Sequence, residues 1–143
     1  MNIKRILALL LALLLLGCVA LADAPDLVAA YEGEWVSDRA LLTVEELDDI
    51  VYCTVSWANS AFENVEWEYT AAFDEAVGGL ATRTGAKRVV IYGEDGEVAS
   101  SEEEYTDGAA NFALNDDGTL TWTDFKETPG ENETVFERVP EGE

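Results

Sequence analysis

The sequence predicts an all-β fold, an antiparallel up-and-down meander of eight to ten strands that closes into a barrel after a cleaved signal peptide. After residue 30, apolar side chains recur at every second position over most of the chain, and segments with helical periodicity are hard to find. Glycine-containing turn signals come about every ten residues, which is typical of strands joined to their sequence neighbours by hairpins. A meander with one apolar face has to cover that face and hide its edge strands, and closure into a barrel does both. A two-sheet sandwich is the competing arrangement, and the consecutive hairpins favour the barrel.

The N-terminus has the features of a secretory signal peptide. Lys4 and Arg5 precede an uninterrupted apolar run at residues 6–16. The run is too short to span a bilayer, which needs about 20 apolar residues. We therefore expect the mature protein to be exported and to have no membrane-spanning segment.

Two cleavage sites fit this leader. Residues 20–22, Ala-Leu-Ala, follow the small-x-small rule at a suitable distance from the apolar run, which favours a secreted protein that begins at Asp23. Residues 15–18, Leu-Leu-Gly-Cys, resemble a bacterial lipobox, in which Cys18 is lipidated and attaches the protein to the cell envelope. The expected organisation is a signal peptide, a short lead-in and a barrel domain, at residues 1–22 (or 1–17 if the cysteine is lipidated), 23–30 and 31–140.

The chain is strongly acidic, with 30 Asp and Glu residues against 8 Lys and Arg and a formal net charge of −22. Removal of the leader takes away two positive charges, Lys4 and Arg5, and changes −22 to −24. Nucleic acid and anionic membrane surfaces would repel such a protein, so neither is an expected partner. The many aromatic residues argue against a disordered acidic tail.

The first half of the mature chain contains the clearest strands. Residues 64–73, NVEWEYTAAF, alternate between apolar and polar side chains, which indicates one face on a core and one in water. Residues 50–58 behave likewise, and residues 40–47 form a weaker strand. Residues 59–64 are interpreted as a loop. The inward positions of the three strands are Leu42, Val44, Val51, Cys53, Val55, Trp57, Val65, Trp67, Tyr69, Ala71 and Phe73.

The second half is predicted to be a run of short strands separated by turns, because glycine accepts the positive φ that tight hairpins demand. A longer connection, residues 127–133, leads to a last strand. The predicted turns are DEAVGG, TGAK, EDG, TDG and NDDG, at residues 74–79, 84–87, 94–96, 106–108 and 115–118.

The segment Gly33-Glu34-Trp35 opens the first strand after the leader and resembles the Gly-x-Trp motif of lipocalins. The resemblance implies that Gly33 relieves crowding where the first strand bends and that Trp35 closes one end of the barrel. It also implies that an arginine from the last strand, Arg138, packs over the indole. The chain as a whole is similar to small exported bacterial barrel domains of unknown function that are described as lipocalin-like, or calycin-type.

Six aromatic side chains are predicted to face the barrel interior. A barrel of about eight strands encloses either packed side chains or one small ligand, so these rings either fill the interior or line a binding cavity. Both alternatives stay open at this point. The candidate ligand-binding residues are Trp57, Trp67, Tyr69, Phe73, Phe112 and Trp122.

Most catalytic devices are missing from the sequence. There is no histidine, hence no imidazole base and no ordinary zinc or haem site, and no phosphate-binding loop or nucleophile elbow is present. Cys53 alternates with apolar neighbours and is expected to be a buried small hydrophobe. We expect no cofactor, no metal and no enzymatic activity, although a hydrolase based on a carboxylate pair remains a third hypothesis.

The function predicted from these observations is binding of a small hydrophobic or amphipathic ligand by a secreted or envelope-attached barrel. The alternative is an envelope protein-interaction module with a packed barrel that works through its acidic surface.

Overall fold

Eight antiparallel strands form one closed barrel in a computed structural model that describes residues 26–127 and 133–142. The predicted signal peptide and Cys18 lie outside the described residues. No helix in the described ranges is long and apolar enough to cross a membrane. The strands are β1 (Gly33–Ser37), β2 (Ala40–Leu47), β3 (Ile50–Ser60), β4 (Glu63–Asp74), β5 (Gly79–Tyr92), β6 (Val98–Leu114), β7 (Leu120–Asp124) and β8 (Glu133–Arg138).

Every strand pairs with its sequence neighbours, and β1 pairs with β8 to close the barrel. This confirms the all-β antiparallel meander and excludes the two-sheet sandwich. The closing ladder is short, with Trp35 opposite Arg138 and Val36 opposite Glu137. A closed barrel leaves no edge strand to pair with other chains.

The period-two pattern sorts the side chains between the interior and the solvent. Along β3, Val51, Cys53 and Val55 are buried while Tyr52 and Thr54 between them are exposed. The same alternation runs through β2 and β4, as the sequence predicts. The inward side chains of all strands form one hydrophobic core cluster.

Consecutive antiparallel strands place their turns at opposite ends of the barrel. The lower end holds the residues that lead into β1 and the turns at residues 48–49, 75–78 and 115–119. The upper end holds the C-terminal end of β7, the N-terminal end of β8 and the turns at residues 38–39, 61–62 and 93–97. The predicted loop at residues 59–64 is wrong, because β3 and β4 extend into it and leave only a two-residue turn.

Two of the predicted turns are also wrong, and this reduces the strand count to eight. Residues 84–87 lie inside the continuous strand β5, and residues 106–108 lie inside β6. Gly85 and Gly108 face each other across this long ribbon, and the pairing register shifts on both sides of Gly85. The glycines therefore bend a long two-stranded ribbon around the barrel, as bulges and glycine kinks do in curved sheets. The predicted turns at residues 74–79, 94–96 and 115–118 do connect strands.

The bend is packed from the inside by the ring of Tyr69. A Cβ atom added to Gly85 would lie 2.3 Å from Tyr69 Cε1, and one added to Gly108 would lie 2.9 Å from the Gly85 carbonyl oxygen. Both positions therefore require glycine for close approach, and an aromatic ring occupies the space that a side chain at Gly85 would take.

Replacement of Gly85 by alanine is expected to lower the free energy of unfolding by about 1–3 kcal/mol, because the new methyl group overlaps the Tyr69 ring. Chemical denaturation measures the change. Gly142→Ala is the control, since a Cβ atom added there would meet no atom of the described residues within 4 Å beyond its chain neighbours.

A variant without the Tyr69 ring tests whether this ring causes the loss of stability in Gly85→Ala. Because Tyr69→Ala makes room for the methyl group, the double variant Gly85→Ala/Tyr69→Ala should lose less stability than the two single variants together. Strict additivity would show that the ring is not what excludes a side chain from Gly85.

Candidate functional site

Trp35 is buried beside the residues that lead into β1 at the lower end of the barrel. Its side chain is 1% exposed, and its Nε1 donates a hydrogen bond of 2.9 Å to the backbone carbonyl of Tyr31. The Cζ atom of Arg138 lies 4.1 Å from the centroid of the Trp35 ring, a cation–π contact. The guanidinium also donates to the backbone carbonyls of Glu32, at 2.8 Å, and Ala30. One arginine of the last strand thus joins the indole to the chain that leads into the first strand.

Gly33 makes room for this arrangement. It has a φ of +123°, which side-chain-bearing residues rarely adopt, and a Cβ there would lie 3.1 Å from Arg138 Nη1. The structure therefore places the Arg138 guanidinium over the Trp35 ring and close to the side of Gly33 where another residue would carry a side chain.

The interior next to Trp35 is filled. Large side chains from six other strands are completely buried in the same core cluster. Their close packing leaves this part of the barrel as a solid floor. They are Leu42, Val55, Leu80, Phe112, Leu120 and Phe136.

A half-open cavity of about 430 Å³ lies at the upper end of the barrel. Its position follows from its lining, because Trp57 and Val65 flank the β3–β4 turn and Asp124 and Glu133 flank the β7–β8 connection. The volume is at the small end of the range for ligand pockets, roughly 300–1,000 Å³. The lining residues are Trp57, Asn59, Val65, Trp67, Lys87, Trp122, Asp124, Glu127, Glu133 and Thr134.

Three of the four tryptophans line this cavity. The Trp67 and Trp122 rings meet edge to face with their centroids 5.0 Å apart. Below them, Tyr69 packs edge to face on Trp122 at 6.4 Å and on Phe112 at 5.6 Å. These edge-to-face contacts join the aromatic wall of the cavity to the packed core below it.

Two buried polar atoms in the ring stack have no hydrogen-bond partner among the described residues. They are the Tyr69 hydroxyl and Trp122 Nε1. Trp67 differs, since its Nε1 donates to the Tyr105 hydroxyl at 3.2 Å. The two atoms belong to neighbouring rings and have almost no accessible surface, so they lie in the packed part of the stack and not at the open cavity.

Lys87 supplies the positive charge of the cavity wall. Its Nζ forms ion pairs with Glu104, at 2.8 Å, and with Glu127, and it lies 5.4 Å from the centroid of the Trp67 ring. Burial disfavours the ammonium, but the hydrogen bonds to the two carboxylates outweigh burial and raise the pKa of Lys87. The ammonium is therefore charged and already neutralised by its partners.

Asp124 carries a buried negative charge in the same wall. It is 2% exposed, and its Oδ1 accepts a hydrogen bond of 2.8 Å from the backbone N–H of Lys126. No ion pair involves Asp124 within residues 26–127 and 133–142. Burial, with a further contribution from the charge of Glu127, raises the pKa of this carboxyl.

The structure distributes the six predicted interior aromatics over three places. Trp57, Trp67 and Trp122 line the cavity, and Tyr69 and Phe112 belong to the packed core below it. Phe73 is partly buried and packs edge to face on Tyr31, with ring centroids 6.5 Å apart. The prediction placed all six around one interior without separating a filled part from an open part.

Sequence reasoning missed the charged part of the cavity. Asp124 continues the period-two pattern of Leu120 and Trp122, so strand parity was sufficient to place it inside. The position of Lys87 in the cavity wall was not predicted, because residues 84–87 were interpreted as a turn and not as part of a strand. Arg88, its neighbour, faces outward and pairs with Glu66 at 2.6 Å and with Glu68 at 3.2 Å, as expected for cross-strand partners.

Other chemistry-bearing groups lie away from the cavity. Carboxylates of Asp26, Glu32 and Glu46 approach within 4.8 Å of one another near the lower end, and partial burial together with these charges raises the pKa of Glu46. Oxygen clusters of this kind suit hard divalent cations, but they also arise on acidic surfaces without one. Cys53 is buried, and burial raises the pKa of its thiol to about 12, which keeps it unreactive.

Comparison with known proteins found no matching family model, no matching curated protein and no matching solved structure. No activity, ligand or partner therefore comes to this chain from a relative. The cavity and its lining are the basis for any statement about function.

Replacement of Arg138 by alanine is expected to lower the free energy of unfolding by about 2 kcal/mol, because a cation–π contact and two charge-assisted hydrogen bonds are lost. Thermal and urea unfolding measure it, and Trp35 fluorescence should change in the folded state. Arg83→Ala, at an exposed position of β5, is the matched control. Equal stabilities of the two variants would contradict a role for Arg138 in closing the barrel.

Replacement of Asp124 by asparagine is expected to stabilise the protein at neutral pH. The folded-state pKa of this carboxyl lies above its unfolded value, so its contribution is present at low pH and is lost as the pH rises through the folded pKa. The amide oxygen can still accept from Lys126 N–H. Unfolding curves between about pH 4 and pH 8 should therefore show a smaller decrease of stability with pH for the variant than for the wild type.

The control for this change is Asp116→Asn, which removes a carboxylate from an exposed turn at the lower end. An equal change of slope in both variants would mean that overall charge, and not burial of Asp124, sets the pH dependence.

Proposed function

We propose that this protein is exported and binds a small hydrophobic or amphipathic molecule in the cavity at the upper end of its barrel. The observation that carries the proposal is the half-open cavity with three indoles in its wall. Pockets for small molecules are concave and mostly apolar, with a few polar groups that fix the orientation of the ligand. This cavity has both parts, since an apolar floor meets a polar rim of Asn59, Thr134 and charged side chains.

The construction of the barrel supports a one-ended binding site. In this proposal Trp35 and the packed core above it close the lower end, and the ligand enters from the upper end. Indole rings have few rotatable bonds, so holding them in place when a ligand binds costs little conformational entropy. The cavity volume limits the ligand to a small molecule.

We also propose that the barrel is lipocalin-like, or calycin-type. The contact of Gly33, Trp35 and Arg138 at the closed end supports this assignment, because it has the arrangement that the Gly-x-Trp resemblance implies. The apolar leader supports export, either as a secreted protein that begins at Asp23 or as an envelope lipoprotein attached through Cys18. We assign no enzymatic activity to the cavity, which has no histidine and no reactive thiol among its lining residues.

A second candidate function is an envelope interaction module that uses the acidic outer surface. The filled interior around Trp35 favours this candidate, because much of the barrel serves packing and not ligand binding. It is the function that would remain if the cavity binds nothing.

Filling the cavity tests the main proposal. Val65 lies in the cavity wall, so Val65→Phe is expected to reduce binding of the neutral apolar dye N-phenyl-1-naphthylamine at least tenfold. Dye fluorescence excited through energy transfer from the tryptophans measures the affinity. Val135→Phe, the same substitution at a position that is 53% exposed, should leave it unchanged.

A second variant, at the rim of the cavity, keeps the test valid if Val65→Phe does not fold. Asn59→Phe narrows the mouth of the cavity from an exposed position and should also weaken binding. Circular dichroism checks the fold of each variant. No dye binding by the wild type, or equal binding by all variants, would overturn the cavity as the ligand site.

A further inference from the structure

We propose that the ligand of the upper cavity is an organic ammonium, an apolar body that carries one positive charge held between the tryptophan rings and the carboxylates of the cavity wall. The inference rests on the proposed binding function and narrows the class of ligand. It depends on the charges and rings described above and on which of them already have partners.

The cavity wall has an excess of negative charge. Three carboxylates, Asp124, Glu127 and Glu133, line it, and Lys87 is the cation among its lining residues. Lys87 also pairs with Glu104 outside the lining, so its charge is shared between two carboxylates. An anionic ligand would meet an ammonium that is already neutralised and carboxylates that repel it. A cationic ligand would be attracted by the same carboxylates.

The buried carboxylate of Asp124 is the strongest single indication. It accepts a backbone hydrogen bond but has no counter-ion among the described residues, although it is almost fully buried. Burial of an unpaired charge is costly, and a cation that enters the cavity would reduce that cost. Binding of an ammonium therefore gains free energy that binding of an isosteric alcohol does not.

The rings of the site are suited to a positive charge. The Lys87 ammonium lies 5.4 Å from the centroid of the Trp67 ring and 5.9 Å from that of Tyr105. Lys126 lies 5.5 Å from the Tyr105 centroid. Aromatic side chains attract ammonium groups through the negative faces of their rings, and desolvated sites make the attraction stronger. Trp57 and Trp122 offer further rings to a ligand in the same cavity.

The charge of the whole protein also favours a cationic ligand. The net charge of −22 adds a long-range field that draws cations to the protein and repels anions.

Isothermal titration calorimetry with three probes of matched shape tests the proposal. The probes are n-octylammonium, octan-1-ol and octanoate, which present a cation, a neutral group and an anion on the same chain. Octylammonium is expected to bind at least tenfold more tightly than octanol, and octanoate most weakly. The variant Asp124→Asn should lower the affinity for octylammonium towards that for octanol and leave octanol unchanged.

The control variant Asp116→Asn removes one negative charge from an exposed turn at the opposite end. It should leave all three affinities unchanged, whereas equal losses in both variants would mean that only the overall field attracts the cation, which overturns the proposed site. The variant Lys87→Gln removes the internal cation from the wall and should tighten octylammonium binding. Weaker binding by that variant would likewise contradict the proposal.

The outcomes separate this inference from the proposed function. Octanol or octanoate binding as tightly as octylammonium would overturn the ammonium ligand and leave the cavity as a binding site. Failure of all three probes, together with failure of the neutral dye, would overturn both.

Discussion

The contact between Arg138 and Trp35 is the interaction on which the rest of the barrel depends. β1 and β8 share only two residue pairs, the shortest ladder among the strand pairs of the barrel. The arginine supplements this ladder by stacking on the indole and by bonding to two backbone carbonyls of the chain that leads into β1. Without closure two strand edges would be exposed, and β8 would no longer hold Glu133 and Thr134 against the cavity.

The second constraint is the bend of the long β5–β6 ribbon. A barrel of eight strands needs strong local curvature, and the paired glycines, with the Tyr69 ring packed against Gly85 from the inside, supply it. The same bend places Lys87, two residues beyond Gly85, against Trp67 and Tyr105. The curvature of the ribbon and the position of Lys87, the cation among the described residues of the upper cavity wall, therefore have a common origin.

Much of the fold could be predicted from the sequence, because alternation of apolar and polar residues specifies which face of each strand is buried. The alternation was sufficient to predict strands β2, β3 and β4, and the consecutive hairpins were sufficient to predict closure into a barrel. Glycine letters alone could not separate a turn from a bend, since Gly85 and Gly108 become a bend only when they face each other across two strands. The two glycines are far apart in the sequence, so a local pattern cannot show that they pair. The predicted turns at residues 84–87 and 106–108 were wrong for this reason.

The candidate site could be predicted in part. Strand parity placed Trp57, Trp67 and Trp122 inside, but the border between the packed core and the open cavity depends on how side chains from different strands fill the space. The position of Asp124 followed from parity as well, yet a carboxylate among thirty acidic residues carries no signal until its burial and its lack of a counter-ion are seen.

Native mass spectrometry of the protein, purified under non-denaturing conditions from the organism that makes it, tests most directly whether the cavity carries a ligand. A discrete adduct on the wild-type protein that is lost on denaturation, and that is missing when Phe replaces Val65, is the result this account predicts. A bare mass for both proteins would contradict carriage of a ligand and favour the interaction module.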